Sequence, residues 1–251
     1  MNYKELVSLL ERQTESRGEE KSAVLTSWQK HFSMLDKFNN KNIAVIGCGG
    51  VGIRIATLVT QLLTYSKGVE LHLYDGDLFE ERNADRQLVN CNGKYKANAL
   101  KEHIDATNTN VEVLSLPMFF PLSFPLPTKY DVIFLAADKK LPKRTVFDNP
   151  DYLKPNGLIV MAGNEYDYYQ STAFLDGQTA YDVYPDLKEP ERESVAACTG
   201  EITISEPQLV LFNQLAATTA VQLWWQYVVN DNVIYKTCYE GNFFTNNTFE
   251  R

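Results

Sequence analysis

The sequence predicts an α/β fold built on a mainly parallel sheet with flanking helices, and three observations carry that expectation. From Asn42 the chain runs through an apolar strand (IAVIG), a glycine-rich turn, an amphipathic stretch to about Tyr65 and a second strand (VELHLYD). That is the order a parallel βαβ unit produces. Further strand-type runs recur at 111–116 (VEVLSL), 131–137 (DVIFLAA) and 157–163 (GLIVMAG), with helical patterns at 94–106 and 142–147 between them. The 251 residues are 44% apolar and 22% charged, enough for one large core and unlike a disordered or collagen-like chain.

Ahead of the sheet, residues 1 to about 37 read as a helical arm. Leu6, Leu9 and Leu10 form one pattern, and Val24, Leu25, Trp28, Phe32 and Leu35 a second, on either side of the charged SRGEEK. Such an arm can pack on its own domain or on a neighbouring subunit. Residues 38–251 contain no repeat and no long linker, so they are taken as one domain. The proline-rich LPMFFPLSFPLP at 116–127 suits an irregular crossing, not a central strand.

Beyond Gln170 the expected order is a strand (QSTAFL), an acidic polar loop from about Asp176 to Ser194, a long helix at 206–229, and short strands near VIYKT and NFF. In the long helix Gln214, Thr218, Gln222 and Gln226 recur every four residues, a wetter stripe on a mostly buried helix. Its amides argue against a membrane span.

Charge excludes some functions. Lys plus Arg total 24 against 32 Asp plus Glu, a net charge of −8 that disfavours bulk binding of nucleic acid or anionic membrane. A small anion needs only a few placed donors. The start MNYKELVSLLERQ lacks the apolar core of a secretory signal, so the chain reads as cytoplasmic. Cys48, Cys91, Cys198 and Cys238 form no CxxC pair, and suggest neither a disulfide framework nor a tetrathiolate zinc site.

The turn Gly47-Cys48-Gly49-Gly50-Val51-Gly52 satisfies G-x-G-x-x-G directly after a strand and before a helix. Glycines there permit a tight turn and close backbone approach, and the helix start offers N–H groups to a phosphate. Asp75 ends the next strand, where a carboxylate can accept from both ribose hydroxyls. These features together indicate an adenine nucleotide and fit NAD and ATP equally. The following segment separates the two. Asn83, Arg86, Gln87, Lys94 and Lys96 crowd behind Asp75. A nicotinamide enzyme has no use for them, whereas expulsion of pyrophosphate from ATP needs cations where charge builds on the β and γ phosphates.

These residues resemble the ThiF/MoeB/HesA superfamily of ubiquitin-activating-type adenylating enzymes. The pattern consists of GCGGVG, Asp75, the N-x-x-R-Q set Asn83, Arg86 and Gln87, Lys96 after Gly93, and the Asp131 to Asp138 spacing in DVIFLAAD. It covers about residues 40–165, and more loosely the helix after Cys198. GNEYDYYQ (163–170), the stretch from Cys198 into EPQLVLFNQLAATTAVQLWW, and YEGNFFTN look similar to PRTRC-system ThiF-like proteins.

The resemblance implies a Rossmann-like, mainly parallel sheet, ATP and Mg2+ as cofactors, and activation of the carboxy-terminal glycine of a ubiquitin-like protein or peptide as an acyl-adenylate. Gly47, Gly49, Gly50 and Gly52 would form the phosphate turn and Asp75 would hold the ribose. Asn83, Arg86, Gln87 and Lys96 would serve the phosphates, and Asp138 the magnesium. It also implies a homodimer, with an arginine reaching across from the partner's amino-terminal region, for which Arg12 and Arg17 are candidates.

The chain departs from this family in lacking the paired CxxC motifs that many members of its size carry. Cys198, before a Thr-Gly turn, is a candidate nucleophile that would take the acyl group as a thioester, or else an incidental buried cysteine. Cys48 reads as a space-filler. Tyr166, Tyr168 and Tyr169 line a peptide groove or pack on a strand face. Two other readings stay open: a Rossmann oxidoreductase using NAD, and a catalytically inactive nucleotide-binding or docking subunit.

Overall fold

The computed structural model describes residues 5, 8–9, 12, 20–81, 92–107, 110–121, 126–164, 168–175, 177–189, 209–232, 238–242 and 246–249. Among them one eight-stranded sheet has the order β3-β2-β1-β4-β5-β6-β7-β8. The strands are β1 (Asn42–Ile46), β2 (Val69–Tyr74), β3 (Val111–Leu116), β4 (Tyr130–Leu135), β5 (Leu153–Asn164), β6 (Tyr168–Phe174), β7 (Cys238–Asn242) and β8 (Asn246–Phe249). From β3 through β5 neighbours pair parallel, and from β5 to β8 they pair antiparallel. The sheet is therefore parallel from β3 through β5 and ends as an antiparallel meander.

Strands β1, β2 and β4 are buried along nearly all of their length because both of their faces are covered. On one face Val45, Leu71, Leu73, Phe134 and Val160 lie under α2 (Gly50–Leu62), α3 (Lys96–Asp105) and α6 (Val210–Val229). On the other, Ala44, Ile46, Tyr74, Ile133 and Leu135 lie under α4 (Lys140–Asp148) and α5 (Gly177–Val183). The exposed positions of α6 include Gln214, Thr218 and Gln222, the stripe that the four-residue spacing predicts.

The segment expected as an acidic loop holds α5 and a 3-10 turn, Pro185–Lys188. Burial explains the difference. Ala180 and Leu187 are buried in the core under β4 and β5, and the Tyr181 ring meets Phe147 edge-on at 5.8 Å. Three apolar anchors among the acids suffice to order it. The last two strands fall a few residues beyond the VIYKT and NFF expectations, at β7 and β8, while 233–237 and 243–245 lie outside the described residues.

Helix α1 (Glu20–Asp36) ends on its own domain. Phe32 and Leu35 are buried, Ser66 Oγ donates to the Leu35 carbonyl at 3.2 Å, and Phe38 stacks on Trp225 at 4.6 Å.

At the strand-start edge of the sheet, Asp131 ties β1, β4 and β5 together. Its carboxylate accepts from the Asn42 N–H at 2.8 Å, Lys41 Nζ at 3.2 Å and Lys154 Nζ at 2.7 Å. Burial alone would push its pKa up. The Lys154, Asn42 and Lys41 donors outweigh that and hold it below the usual carboxylate value. A lowered folded pKa means stabilisation that is complete above the unfolded carboxylate pKa and is lost as pH falls through the folded value. Asp131→Asn is expected to cost about 1–3 kcal/mol near neutral pH, the range for hydrogen bonds to a charged group. Its melting temperature should converge on the parent's in acid. An equal deficit at every pH in a thermal-melt series would overturn this account.

Candidate functional site

Register places Ile46, Tyr74 and Leu135 level across β2, β1 and β4. Gly47, Asp75 and Ala136 therefore leave the sheet side by side at its carboxy-terminal edge, the crevice where open α/β sheets bind ligands. The Gly47 N–H donates to the Tyr74 carbonyl at 2.8 Å, and the Ala136 N–H to the Ile46 carbonyl at 2.9 Å.

Each glycine of the turn has its own reason. Gly47 sits at φ +93°, and a Cβ there would lie 2.6 Å from the Ala137 nitrogen. At Gly52 a Cβ would lie 1.8 Å from the Gly47 carbonyl oxygen, so helix and turn touch backbone to backbone. Gly49 caps α2 without a side-chain bond, and a Cβ there would meet nothing within 4 Å. The helix thus presents its first N–H groups past an open face, as an anion site does. At Gly50 a Cβ would fall 2.5 Å from Asn213 Oδ1 on α6.

The Asp75 carboxylate accepts from the Cys48 N–H at 2.6 Å with one oxygen and from the Asp77 N–H at 2.8 Å with the other. Burial raises its pKa, and the two N–H groups together with Lys96 oppose the rise. Lys96, the first residue of α3, is held at the same edge: Nζ lies 2.9 Å from Asp77 Oδ2, and its N–H donates to the Asp77 carbonyl at 2.9 Å. Its side chain is 13% exposed. The Cys48 thiol is buried and its pKa is pushed well up by burial and by Asp75, as suits a space-filler and not a nucleophile.

Asp138 is exposed just past β4, one oxygen accepting from the Lys139 N–H at 2.9 Å. It does not cap α4, whose N-cap is Lys139 with no side-chain bond. Among the described residues no cluster of three or more His, Cys, Asp or Glu could hold a metal. A single carboxylate still suits Mg2+, which commonly binds through one or two carboxylates plus substrate phosphates and water.

The structure brings Gly47, Gly49, Gly50, Gly52, Asp75, Lys96 and Asp138 to one sheet edge. Asn83, Arg86, Gln87, Cys198 and Tyr166 lie outside the described residues. Tyr169 stacks on Phe212 at 6.3 Å and Tyr168 donates to Glu240 at 2.7 Å, so both are engaged by neighbouring elements. His72 is buried, with Nδ1 2.8 Å from the Tyr130 hydroxyl, away from this edge.

Sequence reasoning missed two residues. Phe119 is 63% exposed, crosses Gly76 so closely that a Cβ there would lie 2.7 Å from the Phe119 nitrogen, and carries Lys139 Nζ 5.8 Å from its ring centroid. Nothing local in the proline-rich crossing marks it. Asn213 could have been suspected as an amide on an otherwise apolar face of α6.

The sequence model described as the ThiF family matches residues 21–251. The ATP-dependent ubiquitin transferase-like protein Cap2 of Escherichia coli (strain TW11681) is 26% identical over 175 residues, 67% of this chain and 30% of Cap2. The chain thus spans less than a third of that relative's length. Among solved structures, E. coli MccB with MccA-N7isoASN superposes with a TM-score of 0.64 at 16% identity, covering 94% of this chain and 73% of MccB. Another MccB crystal structure contains ATP. PaaA superposes with a TM-score of 0.63 at 19% identity, covering 88% of this chain and 66% of PaaA. These structures share the Rossmann-like, mainly parallel architecture.

The glycines give a test of the turn. Gly→Ala inside a helix ordinarily gains about 1 kcal/mol in propensity. Gly52→Ala should instead lower the melting temperature or prevent folding, since its methyl overlaps the Gly47 carbonyl. Gly49→Ala meets no neighbour and should cost no more than about 1 kcal/mol, the loss expected for Ala at an N-cap. Equal melting of the two variants would refute the close approach.

Proposed function

The chain belongs to the ThiF family, and on that premise we propose that it adenylates a carboxy-terminal carboxylate, using ATP, on a ubiquitin-like protein or peptide. The observation that carries the reading is the Asp75 carboxylate, fixed by two backbone N–H groups beside the open face of Gly49. Each Asp75 oxygen keeps a lone pair for a ribose hydroxyl, with the phosphates falling on the first turn of α2. The exposed Phe119 ring beside Gly76 offers a face for the base.

Lys96 at this edge favours ATP over NAD, because a cation near the departing phosphates assists adenylate formation more than dinucleotide binding. Asn83, Arg86 and Gln87 join it in this proposal, and Asp138 would hold Mg2+. The ion would supply neutralising charge for the pyrophosphate. A substrate carboxylate oxygen attacks the α-phosphorus, the bond to the bridging oxygen breaks, and pyrophosphate leaves. The peptide or ubiquitin-like class of substrate is supported by the description of Cap2 and by MccA bound to MccB. Transfer of the acyl group to Cys198 as a thioester is a further part of the proposal.

Pyrophosphate exchange into ATP, run with candidate ubiquitin-like partners, is the direct test. Arg86→Ala should weaken both ATP binding and exchange, since a guanidinium fork holds two phosphate oxygens at once. Asp138→Ala should keep nucleotide binding measured without magnesium and lose exchange. Cys198→Ala should keep exchange and lose only a thiol-sensitive adduct. Near wild-type exchange by the Asp138 variant would show that the metal assignment is wrong. Calorimetric binding of NAD but not ATP would replace the adenylation reading with an oxidoreductase.

A homodimer is also proposed. Phe32 and Leu35 of the apolar stripe are used within the chain, leaving Trp28 at 38% and Tyr65 at 40% exposure as neighbouring aromatic surface. Light scattering at micromolar concentration should return twice the chain mass. A monomer would remove both the dimer and an arginine supplied in trans by Arg12 or Arg17.

A further inference from the structure

We propose that Asn213 is a positioning residue for the nucleotide phosphates: its buried carboxamide holds the first residue of α2 in the shape that receives them. The inference rests on the reading above in taking a nucleotide phosphate as the occupant of the turn. Asn213 is fully buried, at 0% exposure, inside the contact between α6 and α2. Its Oδ1 is the buried side-chain oxygen that finds no hydrogen-bond partner among the described residues. Among the described residues its Nδ2 reaches the Leu209 carbonyl alone, at 3.4 Å. A leucine would fill this place without stranding an oxygen, so packing alone does not account for the amide.

What the amide touches gives its role. The carboxamide Oδ1, Cγ and Nδ2 lie 2.5, 2.9 and 3.1 Å from the point where a Cβ of residue 50 would sit. Gly50 is the one glycine of GCGGVG that the G-x-G-x-x-G pattern does not call for, and Asn213 is the reason a side chain is barred there. From the other side Arg54 Nη1 donates to the Gly50 carbonyl at 2.5 Å. The Gly50 residue is therefore held by a guanidinium on its carbonyl and an amide on its Cα, one residue after the open face of Gly49. The unpartnered oxygen also places the negative end of the amide dipole at the positive end of α2, which it suits without adding a net charge that would repel phosphate.

The 251-residue chain and four variants can be titrated with adenosine, AMP and ATP by calorimetry. Asn213→Asp preserves shape and, titrated at alkaline pH so that its buried carboxyl ionises, adds a charge. It should weaken ATP about tenfold or more and AMP less, with adenosine within about twofold, because like charges repel in proportion to phosphate charge. Asn213→Leu should raise the ATP KM in exchange several-fold at unchanged adenosine affinity. Gly50→Ala should lose ATP affinity, and Asn213→Gly in the same chain should restore it in part, by relieving the clash but not replacing the amide, a coupling that two independent defects would not show. This double variant decides the matter if the Asp variant fails to fold.

ATP binding within twofold of wild type in both the Asp and Leu variants, or equal losses of adenosine and ATP, would overturn the proposal. A wild-type protein that binds ATP far more tightly than adenosine yet exchanges no pyrophosphate would count against adenylation and leave Asn213 in its role. One that binds adenosine and ATP alike would refute the Asn213 role alone, and one that binds neither would refute both.

Discussion

The passage of Gly52 over the Gly47 carbonyl is the contact on which the rest of this edge depends. With a Cβ position only 1.8 Å from that oxygen, α2 can start where it does only as bare backbone. Its seat is then secured by apolar packing, because Val51, Ile55, Ala56 and Val59 are buried between the sheet and α6. The direction in which the helix points its first N–H groups follows from that seat. Asp75 completes the arrangement by accepting the Cys48 N–H, which ties the turn after β1 to the end of β2. A shift of α2 would break both the steric and the hydrogen-bonded constraint together.

Charge at the edge is arranged differently from charge in the chain as a whole. A net charge of −8 gives no general attraction for anions, so affinity for a phosphate has to come from placed groups. In the proposed function Lys96 and the start of α2 would supply them, and Asp77 keeps Lys96 in position at 2.9 Å. Asp75 is the counterpart. Burial disfavours its ionised form, while two backbone donors and a nearby cation favour it, so the carboxylate is held in place without being saturated.

Much of this was legible in the sequence because the signals are local. Strands β3 and β4 and helices α3 and α4 emerge within a residue or two of their apolar patterns, and the glycine turn with Asp75 needs only chain order to be read. What escaped depends on contacts between distant segments. Helix α5 is ordered by Phe147 and the sheet, not by its own acidic composition. Phe119 and Asn213 reach the turn region through Gly76 and Gly50, over sequence separations that no period or motif encodes. The second glycine of the pair Gly49 and Gly50 was visible, but its reason lies on a helix that begins 160 residues later, at Val210.

The two ends of the same strands divide stability from binding. At the start of β1, β4 and β5, Asp131 has donors from Asn42, Lys41 and Lys154, and its lowered pKa marks an ion pair that favours the folded state. At the opposite end the chain keeps a helix start without a side-chain cap, a glycine facing open space and an exposed carboxylate at Asp138. Selection for stability alone would remove each of these by capping, filling or replacing them with apolar groups. Their concentration at one sheet edge is intelligible if a ligand completes them, and the strands between, buried on both faces, are what allow the satisfied end to carry the unsatisfied one.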